Sequence, residues 1–518
     1  MSGPDRKPIP VASSAWHRFA RSDAPWMLAR AAAFLSLAWM IYMLWGHWGI
    51  PGVGVPDPLM YTNLGNLLFW VVFMTGLPLV ALLAGRAFCA VCPLGFLNEW
   101  IARIGLGRSF PPALRNDGGK AALLLLTMAL LGLARIHHWP GATAWYLACW
   151  VALAVLLGAL FRGRSLCSFA CPLGGMLGLY SRVASPEVGV ADPAVCRTCE
   201  GKECVRGCES WTTASMGRLN AAFRSRRAGC PVNLKPWEIE GSGRCLLCGN
   251  CLRACPYGNA VLRARPPLAA LWRESFPRFT ETATAAALLG FLLLSFSRFW
   301  PALGAILAFP GSAVSSLSGI SFSRAVTILW GGFLLPFLVI VTPALYSRWR
   351  IVSRGAGEEA PAGVKKGMIR LWIGEKDPSH AGEAGEEEGA VERTDTVRGL
   401  MASFLPAFVP LLLGGHLLLA AIKINAKISY LPLGLADFSG VRSYMSVEEL
   451  ALVPRPGLLF PLAPLKWGLL CLFILSAALS VGVALSIARR EKLPAGSTVV
   501  ALLTVAFAVG GGFLKWLF

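Results

Sequence analysis

Nine stretches of the chain are long, apolar and almost free of charge: residues 26–45, 64–84, 120–136, 145–161, 280–299, 326–346, 398–420, 466–488 and 496–515. A bilayer core takes about 20 apolar residues in a helix, because each segment must satisfy its own backbone N–H and C=O groups. The third and fourth stretches are the shortest. Only 15% of residues are charged and 55% are hydrophobic. An average soluble domain carries about 25% charge, so a single soluble globule is excluded, and so is a disordered chain. The expected fold class is mainly α, a polytopic α-helical membrane protein of about nine spans. The first stretch starts late, is long and lacks a small-residue cleavage site, so it reads as a signal anchor.

Placement of Lys and Arg sets the orientation. Arg6, Lys7, Arg18 and Arg21 precede the first span, and loops 85–120 and 162–279 carry five and seventeen basic residues. Residues 46–63 and 137–144 carry none. The net charge of +20 therefore reflects cytoplasmic loops rather than nucleic-acid binding. The expected location is a bacterial-type inner membrane, with the N-terminus cytoplasmic and, for nine spans, the C-terminus outside. Loop 421–465, with Lys423, Lys427, Arg442 and Arg455, is the exception. Trp26, Trp45, Trp48, Trp349 and Trp516 fit an interfacial belt. Arg30, one turn inside the first span, is expected to snorkel. Residues 351–396, with the run Glu386–Glu388, read as a flexible charged cytoplasmic insertion.

Fifteen cysteines are present, nine of them between residues 196 and 255. That clustering is unlike a secreted disulfide scaffold. The strongest motif is Cys245-x2-Cys248-x2-Cys251-x3-Cys255-Pro256. Three close thiolates wrap one corner of a cubane, and the Cys before Pro is donated to a second cluster. Zinc would want two pairs separated by a longer loop. Cys196, Cys199 and Cys204 supply the second set. Its partner is Cys208, which has the x3 spacing but precedes Glu209, or Cys230, which precedes Pro231 and stands 15 positions before Cys245. Cys230 is preferred, which leaves 209–229 as an inserted loop and Cys208 spare. The expected ligation is crossed: Cys245, Cys248, Cys251 and Cys230 for one 4Fe-4S cluster, and Cys196, Cys199, Cys204 and Cys255 for the other. Arg197, Lys202, Arg244 and Arg253 are placed to offset cluster charge.

A repeat precedes this block. Gly85-Arg-Ala-Phe-Cys89-Ala-Val-Cys92-Pro-Leu-Gly95 recurs at an offset of 78 as Gly163-Arg-Ser-Leu-Cys167-Ser-Phe-Ala-Cys171-Pro-Leu-Gly174. Internal repeats place functional sites at their interface. Cys89, Cys92, Cys167 and Cys171 are therefore candidates for a soft metal or a thiol–disulfide pair. The plainer reading is that each Cys-Pro only shapes a turn. The cysteine spacing differs by one residue between copies, which departs from strict symmetry.

The two Cys-Pro turns and the Cys196–Cys255 block resemble the polytopic membrane ferredoxin family, over about residues 60–270. That family includes the quinol-dehydrogenase membrane subunit of periplasmic nitrate reductase, the membrane regulator of nitrous-oxide reductase and the copper reductase of oxidase assembly. The resemblance implies two 4Fe-4S clusters on the cytoplasmic side and electron transfer linked to quinone. Residues 280–518 lie outside it. The expected domains are a four-helix membrane domain (1–190), a ferredoxin-like two-cluster domain (191–278), membrane helices (279–346), the insertion (347–397) and C-terminal membrane helices (398–518).

In the second half, Cys471 sits mid-helix and is expected to pack in the core. His416 follows Gly414-Gly415 within a span, where imidazole is costly unless it serves something. It is a candidate quinone or haem contact, bordered by Lys423, Asn425, Lys427 and Tyr430, or else bonds a neighbouring helix. His47, His137 and His138 read as interfacial polar residues. The leading expectation is an electron-transfer subunit of an oxidoreductase of the quinol-dehydrogenase type, passing electrons between the membrane quinone pool and a partner redox protein. The alternatives are a copper reductase or assembly factor using the Cys-Pro turns, and a transporter with a redox sensor. Against the last, the later spans lack a row of buried charges.

Overall fold

A computed structural model describes residues 22, 24–48, 59–216, 219–239, 243–273, 280–318, 323–355, 397–490 and 495–517. The basic N-terminal tail and nearly all of the 351–396 insertion lie outside the described residues. Seven helices are long and apolar enough to cross a membrane: Pro25–Leu44, Leu64–Ala84, Pro140–Leu160, Ser323–Arg350, Gly399–Ala436, Leu462–Arg490 and Gly496–Trp516. The other two expected spans take different forms. The stretch at 120–136 is the 15-residue helix Gly118–Gly132. The stretch at 280–299 is the first arm of a pair, Glu281–Phe296 and Pro301–Ser316, bent by 119°. The second arm falls where the sequence suggested a loop, and Pro301 opens it at a position that needs no N–H.

The chain packs as two compact units. One holds Met1–Arg115, Ile136–Arg273 and Tyr430–Pro456, and the other holds Asn116–Arg135, Glu274–Ser429 and Gly457–Phe518. The expected boundary at 190/191 does not separate units, because the cysteine block shares one with the membrane helices before it.

In the first unit, the strand Pro186–Val190 pairs antiparallel with Ala260–Ala264, with Val190 opposite Ala260. The cysteine block lies between these strands in sequence. Val188, Leu247 and Leu252 are packed into one core with Cys245. The insert expected at 209–229 is largely a hairpin, Cys208–Met216 paired with Leu219–Arg227. Residues 430–456 fold back on the start of the second span. Gly440, at φ +77°, lies against the Asn63 backbone, and Asn63 Nδ2 donates to the Ser439 carbonyl at 3.1 Å. This accounts for part of the basic loop that broke the charge rule. Lys423 and Lys427 are not in a loop but in the helix Val397–Lys427, and Arg455 pairs with Glu448 at 2.6 Å.

In the second unit, that 31-residue helix is flanked by small-residue crossings. Gly414 faces Ser476, Gly415 faces Leu292, and Gly290 lies against the Gly332 backbone. In lipid, helix association rests on such close packing and on interhelical hydrogen bonds. Ser480 Oγ accepts the Leu411 N–H at 2.9 Å, beside the helix-disturbing Pro410. Cys471 is exposed on its helix and is not a core residue. Its helix presents that face outward, a surface that an apolar span can leave to lipid.

Candidate metal centres

The two Cys-Pro turns are built alike. Gly85 (φ +61°) and Gly163 (φ +72°) take left-handed backbone just after a span, where a side chain would be strained. Cys92 and Cys171 are extended, with ψ 124° and 115°, as the residue before proline must be. Pro93 and Pro172 then open nine-residue helices, Pro93–Ile101 and Pro172–Tyr180. The extra residue of the second copy is absorbed in a π turn, Leu166–Ala170, closed by the Cys171 N–H on the Leu166 carbonyl at 2.8 Å. The first copy has an α turn there, Ala87–Val91. The unequal spacing thus leaves both Cys-Pro-Leu-Gly segments at a helix start.

The copies interlock through their glycines and arginines. A Cβ on Gly95 would lie 3.0 Å from Cys167 Sγ and 3.4 Å from Arg164 Nη1; one on Gly174 would lie 3.5 Å from Arg86 Nη2. Each glycine therefore admits the arginine of the other copy. Arg164 Nη1 also donates to the Cys89 carbonyl at 2.7 Å. Electrostatically the four thiols form one group: Cys167 feels Cys92, Cys171 and Cys89. Burial, then the neighbouring Cys171, pushes the Cys92 thiol up to about 12.

Two further groups lie in the same unit. Cys251 is coupled to Cys245, Cys248 and Cys230, and also to Cys204. Burial pushes Cys245 up to about 12 and Cys230 to about 11. Cys196, Cys199, Cys204 and Cys255 line one recess with Trp237, Tyr257 and Asn259, and burial raises Cys204 to about 11. The strand pairing explains the crossing. Asn259, just before the second strand, is held on Asp192, just after the first: its Oδ1 accepts the Asp192 N–H at 2.9 Å and its Nδ2 donates to the Asp192 carbonyl at 2.7 Å. The same Nδ2 lies 3.2 Å from Cys196 Sγ. Cys255 is thereby carried to the Cys196 side. Cys230 is held by its N–H on the Cys204 carbonyl at 3.1 Å, and Asn250 Nδ2 donates to Gly229 O at 3.1 Å. Cys208 instead opens the hairpin, opposite Arg227. Among the described residues, no three His, Cys, Asp or Glu side chains close on a single metal ion.

Buried cations surround these thiols. Arg164, Arg86 and Arg30 are 0%, 3% and 7% exposed. Arg30 Nη2, Arg86 Nε and Nη2, and Arg164 Nη2 are buried without a hydrogen-bond partner in the protein. Arg164 meets a carboxylate, Glu99, at 2.8 Å. Burial alone would raise Glu99, but the Arg164 and Arg30 guanidiniums hold it below the usual carboxylate range. Arg164 is coupled to both Cys167 and Cys248, Arg86 to Cys245, and Arg30 to Cys248. Arg30 does not snorkel. It turns inward, with Nε donating to the Ala90 carbonyl at 3.0 Å and its guanidinium over the Phe96 ring. Of the cations expected to offset cluster charge, Lys202 bonds the Cys196 carbonyl and Arg253 Nη2 donates to the Cys248 carbonyl at 3.2 Å. Arg197 lies in the last turn of its helix and Arg244 directly precedes Cys245. Sequence reasoning passed over Arg86, Arg164, Glu99 and Asn259. The Gly-Arg pair standing in both copies was the available signal for the first two.

The second unit places His416 in the interior, Nδ1 2.9 Å from the Leu412 carbonyl of its own helix and the ring stacked on Phe291 at 5.8 Å. Lys423 Nζ lies 5.9 Å over the same Phe291 ring. The rest of the expected border is elsewhere. Asn425 is occupied with Phe460, bonded both ways, and Tyr430 packs on Tyr61 in the first unit. His137 and His138 form a ring pair at 4.2 Å, and the His47 carbonyl accepts the Gly141 N–H at 2.7 Å.

Residues 66–111 and 143–190, which carry the two Cys-Pro turns, match the family model of a 4Fe-4S binding domain. No curated protein and no solved structure matches the chain. The match and the apolar helices support a multi-pass membrane iron–sulfur protein.

Proposed function

We propose that the chain passes electrons between membrane quinone and a partner redox protein through two 4Fe-4S clusters. Cys230, Cys245, Cys248 and Cys251 hold one, and Cys196, Cys199, Cys204 and Cys255 hold the other. The observation that carries this reading is the arrangement of buried arginines. Four of their nitrogens, Arg30 Nη2, Arg86 Nε and Nη2 and Arg164 Nη2, reach no acceptor in the protein, yet the arginines face thiols, and a buried cation is tolerated only against an anion. When bound, a 4Fe-4S cluster accepts and returns one electron at a time. The chain supplies thiolates to hold it, backbone donors such as Leu234 N–H on Cys230 Sγ at 3.2 Å, and cations that raise the reduction potential within a range of roughly −700 to +450 mV. Oxidation of one quinol releases two electrons and two protons. Clusters held by these thiols would take the electrons one at a time. His416 and Lys423 border the candidate headgroup site.

Topology supports a cytoplasmic location for the thiol groups. Cys89 and Cys167 follow the C-terminal ends of two spans and meet, so those spans run parallel and the chain between them returns across the bilayer. Loops 85–120 and 162–279 carry an excess of Lys and Arg, which favours the cytoplasm for that side.

The test is an anaerobic titration of the purified full chain with a reduced quinol analogue, followed by visible absorbance and EPR. Bleaching of the iron–sulfur band with a spin-coupled signal from two cubanes is expected. Reduction by dithionite but not by quinol would remove quinol as donor, and a chain purified anaerobically without iron would sink the reading altogether.

A further inference from the structure

We infer that the hairpin between Cys204 and Cys230 is the arm on which the redox partner docks, and that this partner is a soluble protein with an acidic face. This deepens the electron-transfer reading and rests on it for there being a partner.

The hairpin is not needed to bring the thiols together. Cys230 N–H donates to the Cys204 and Val205 carbonyls, each at 3.1 Å, so the backbones on either side of the insert are one hydrogen bond apart. Both roots are pinned. Gly207, at φ +85°, donates its N–H to the Glu203 carbonyl at 2.7 Å. A Cβ on Gly229 would lie 2.2 Å from the Val205 carbonyl oxygen, and Asn250 Nδ2 donates to Gly229 O at 3.1 Å. A few residues would close such a gap, yet the chain fills it with a hairpin.

Cys208–Met216 pairs with Leu219–Arg227 along the whole of both strands, an arm of about 30 Å at 3.3 Å per residue. It has no third strand among the described residues. A two-stranded hairpin is marginal by itself in water, so an arm of this length calls for a second surface. Its charge says of what kind. The strand Leu219–Arg227 carries Arg224, Arg226 and Arg227, and the strand opposite holds one acidic residue, Glu209. Cross-strand partners share a face, and so do residues two apart. Arg224 is opposite Trp211 and Arg226 opposite Glu209, so one face carries Trp211, Arg224 and Arg226 with a single compensating carboxylate. Tryptophan and arginine dominate the energetics of protein interfaces, and an excess of arginine is complementary to an acidic surface.

Placement favours a soluble protein over the bilayer surface. The arm leaves the chain at Cys208, close after Cys204, which lines a recess with Cys196, Cys199 and Cys255. Those three thiols are half-buried, and Tyr257 in the same lining is 65% exposed. Cys89 and Cys167, which follow the span ends, are 6% exposed, and Cys245 and Cys248 are 9% and 8%. The recess is the most open of the three thiol groups. A protein held by the arm would stand at the group that solvent reaches best.

The experiment is stopped-flow oxidation of the anaerobically purified, dithionite-reduced full chain by two soluble probes of opposite charge. They are acidic plastocyanin and basic cytochrome c, each of which takes one electron from the chain. The wild type is compared with Arg224→Gln/Arg226→Gln and with Arg489→Gln/Arg490→Gln. The latter removes the same charge from the last turn of Leu462–Arg490 in the other unit. Electrostatic steering raises association rates by about 10–1000-fold in all. Loss of two of the charges is expected to slow the plastocyanin reaction about fivefold at low salt, a gap that closes as salt screens it. The control variant and the cytochrome c reaction are expected not to slow. An equal fall in both variants, or in neither, would overturn the docking arm. So would amide exchange over 208–216 and 219–227 that slows in nanodiscs of phosphatidylglycerol against phosphatidylcholine, which would assign the arm to the bilayer. Iron analysis separates the two readings. A wild type without iron removes the electron-transfer reading and this inference with it, whereas an iron-loaded chain indifferent to the hairpin variant removes this inference alone. Should the double variant lose iron, Arg224→Gln, which spares the Arg226–Glu209 pair, is read in its place, with a fall of about twofold expected.

Discussion

In the first unit, Arg30, Arg86 and Arg164 are buried beside thiols with guanidinium nitrogens unanswered. In the second, several buried polar groups are answered locally: His416 on Leu412, Asn425 on Phe460 and Ser480 on Leu411. Its helices otherwise meet through glycine against serine, leucine or backbone. An unanswered buried donor costs about 1–3 kcal/mol, more when charged. The buried guanidiniums of the first unit therefore call for anions beside the thiols, whereas the unbonded buried atoms of the second are mostly neutral hydroxyls, among them those of Thr282, Thr284, Ser347 and Thr498.

Stripping the clusters should break the contrast most sharply. Oxidative loss of iron is expected to abolish hydrogen-exchange protection over residues 186–264 and around the Cys-Pro turns, while the Val397–Lys427 helix keeps its protection. Equal loss in both units, followed by mass spectrometry, would show that the second unit depends on the clusters as well.

Next in size is Glu99→Gln. It leaves Arg164 fully buried without its carboxylate, and breaking a buried pair from one side costs about 3–5 kcal/mol. A lower apparent melting temperature in detergent is expected, larger in iron-depleted protein than in loaded protein, since the cluster shares the cation. The pH dependence follows from the same pair. The folded pKa of Glu99 lies below its unfolded value of about 4.5. Its contribution is therefore present above that value and lost as pH falls through the depressed folded pKa. Acid unfolding of the wild type should show this extra loss and Glu99→Gln should not.

Much of this was legible in the sequence, for reasons that differ by element. Apolar length marked the spans because a bilayer sets that length physically. The Cys-x2-Cys-x2-Cys-x3-Cys-Pro run, a spacing that cubanes use, marked thiols that the fold gathers, Cys251 beside Cys245, Cys248 and Cys230. What could not be read depends on packing between distant segments. Arg30 was expected to snorkel because that rule treats a helix alone in lipid, whereas here the Cys-Pro turn offers it the Ala90 carbonyl. The return of residues 430–456 to Asn63 joins positions some 375 apart, and no local pattern announces it. The bent pair was hidden because its two arms are both apolar and only the angle distinguishes them. The Asn259 anchor on Asp192 and Cys196 follows from strand register, which the sequence of two short strands leaves open.

Closing the glycine gaps tests the repeat interface itself. Gly95→Val places carbon against Cys167 Sγ and Arg164, and overpacking costs about 1–3 kcal/mol. Gly174→Val does the same against Cys167 O and Arg86. Each is expected to lower the iron bound per chain, measured on the anaerobically purified protein. In the second unit, Ser480→Ala removes one interhelical hydrogen bond, worth about 0.6 kcal/mol on average in membranes. A shift of that size with unchanged iron content would keep the two units energetically separate.

The smallest structural effect is expected at His416, and it carries the most functional weight. Its Nδ1 bond is to its own helix and its ring stacks on Phe291, and His416→Leu keeps an apolar side chain there, so only a small fall in melting temperature is expected. Iron content should not change, because the only cysteine of that unit among the described residues is the exposed Cys471. Cluster reduction is where the variant should show. If the imidazole hydrogen-bonds a quinone headgroup, its loss should weaken quinol binding by about tenfold, the equivalent of one hydrogen bond of about 1.4 kcal/mol. The apparent KM for quinol should rise by that factor while reduction by dithionite stays at the wild-type rate. An unchanged KM would assign His416 to packing against Phe291 and move the search for the quinone to the first unit, whose buried cations already lie at the span ends.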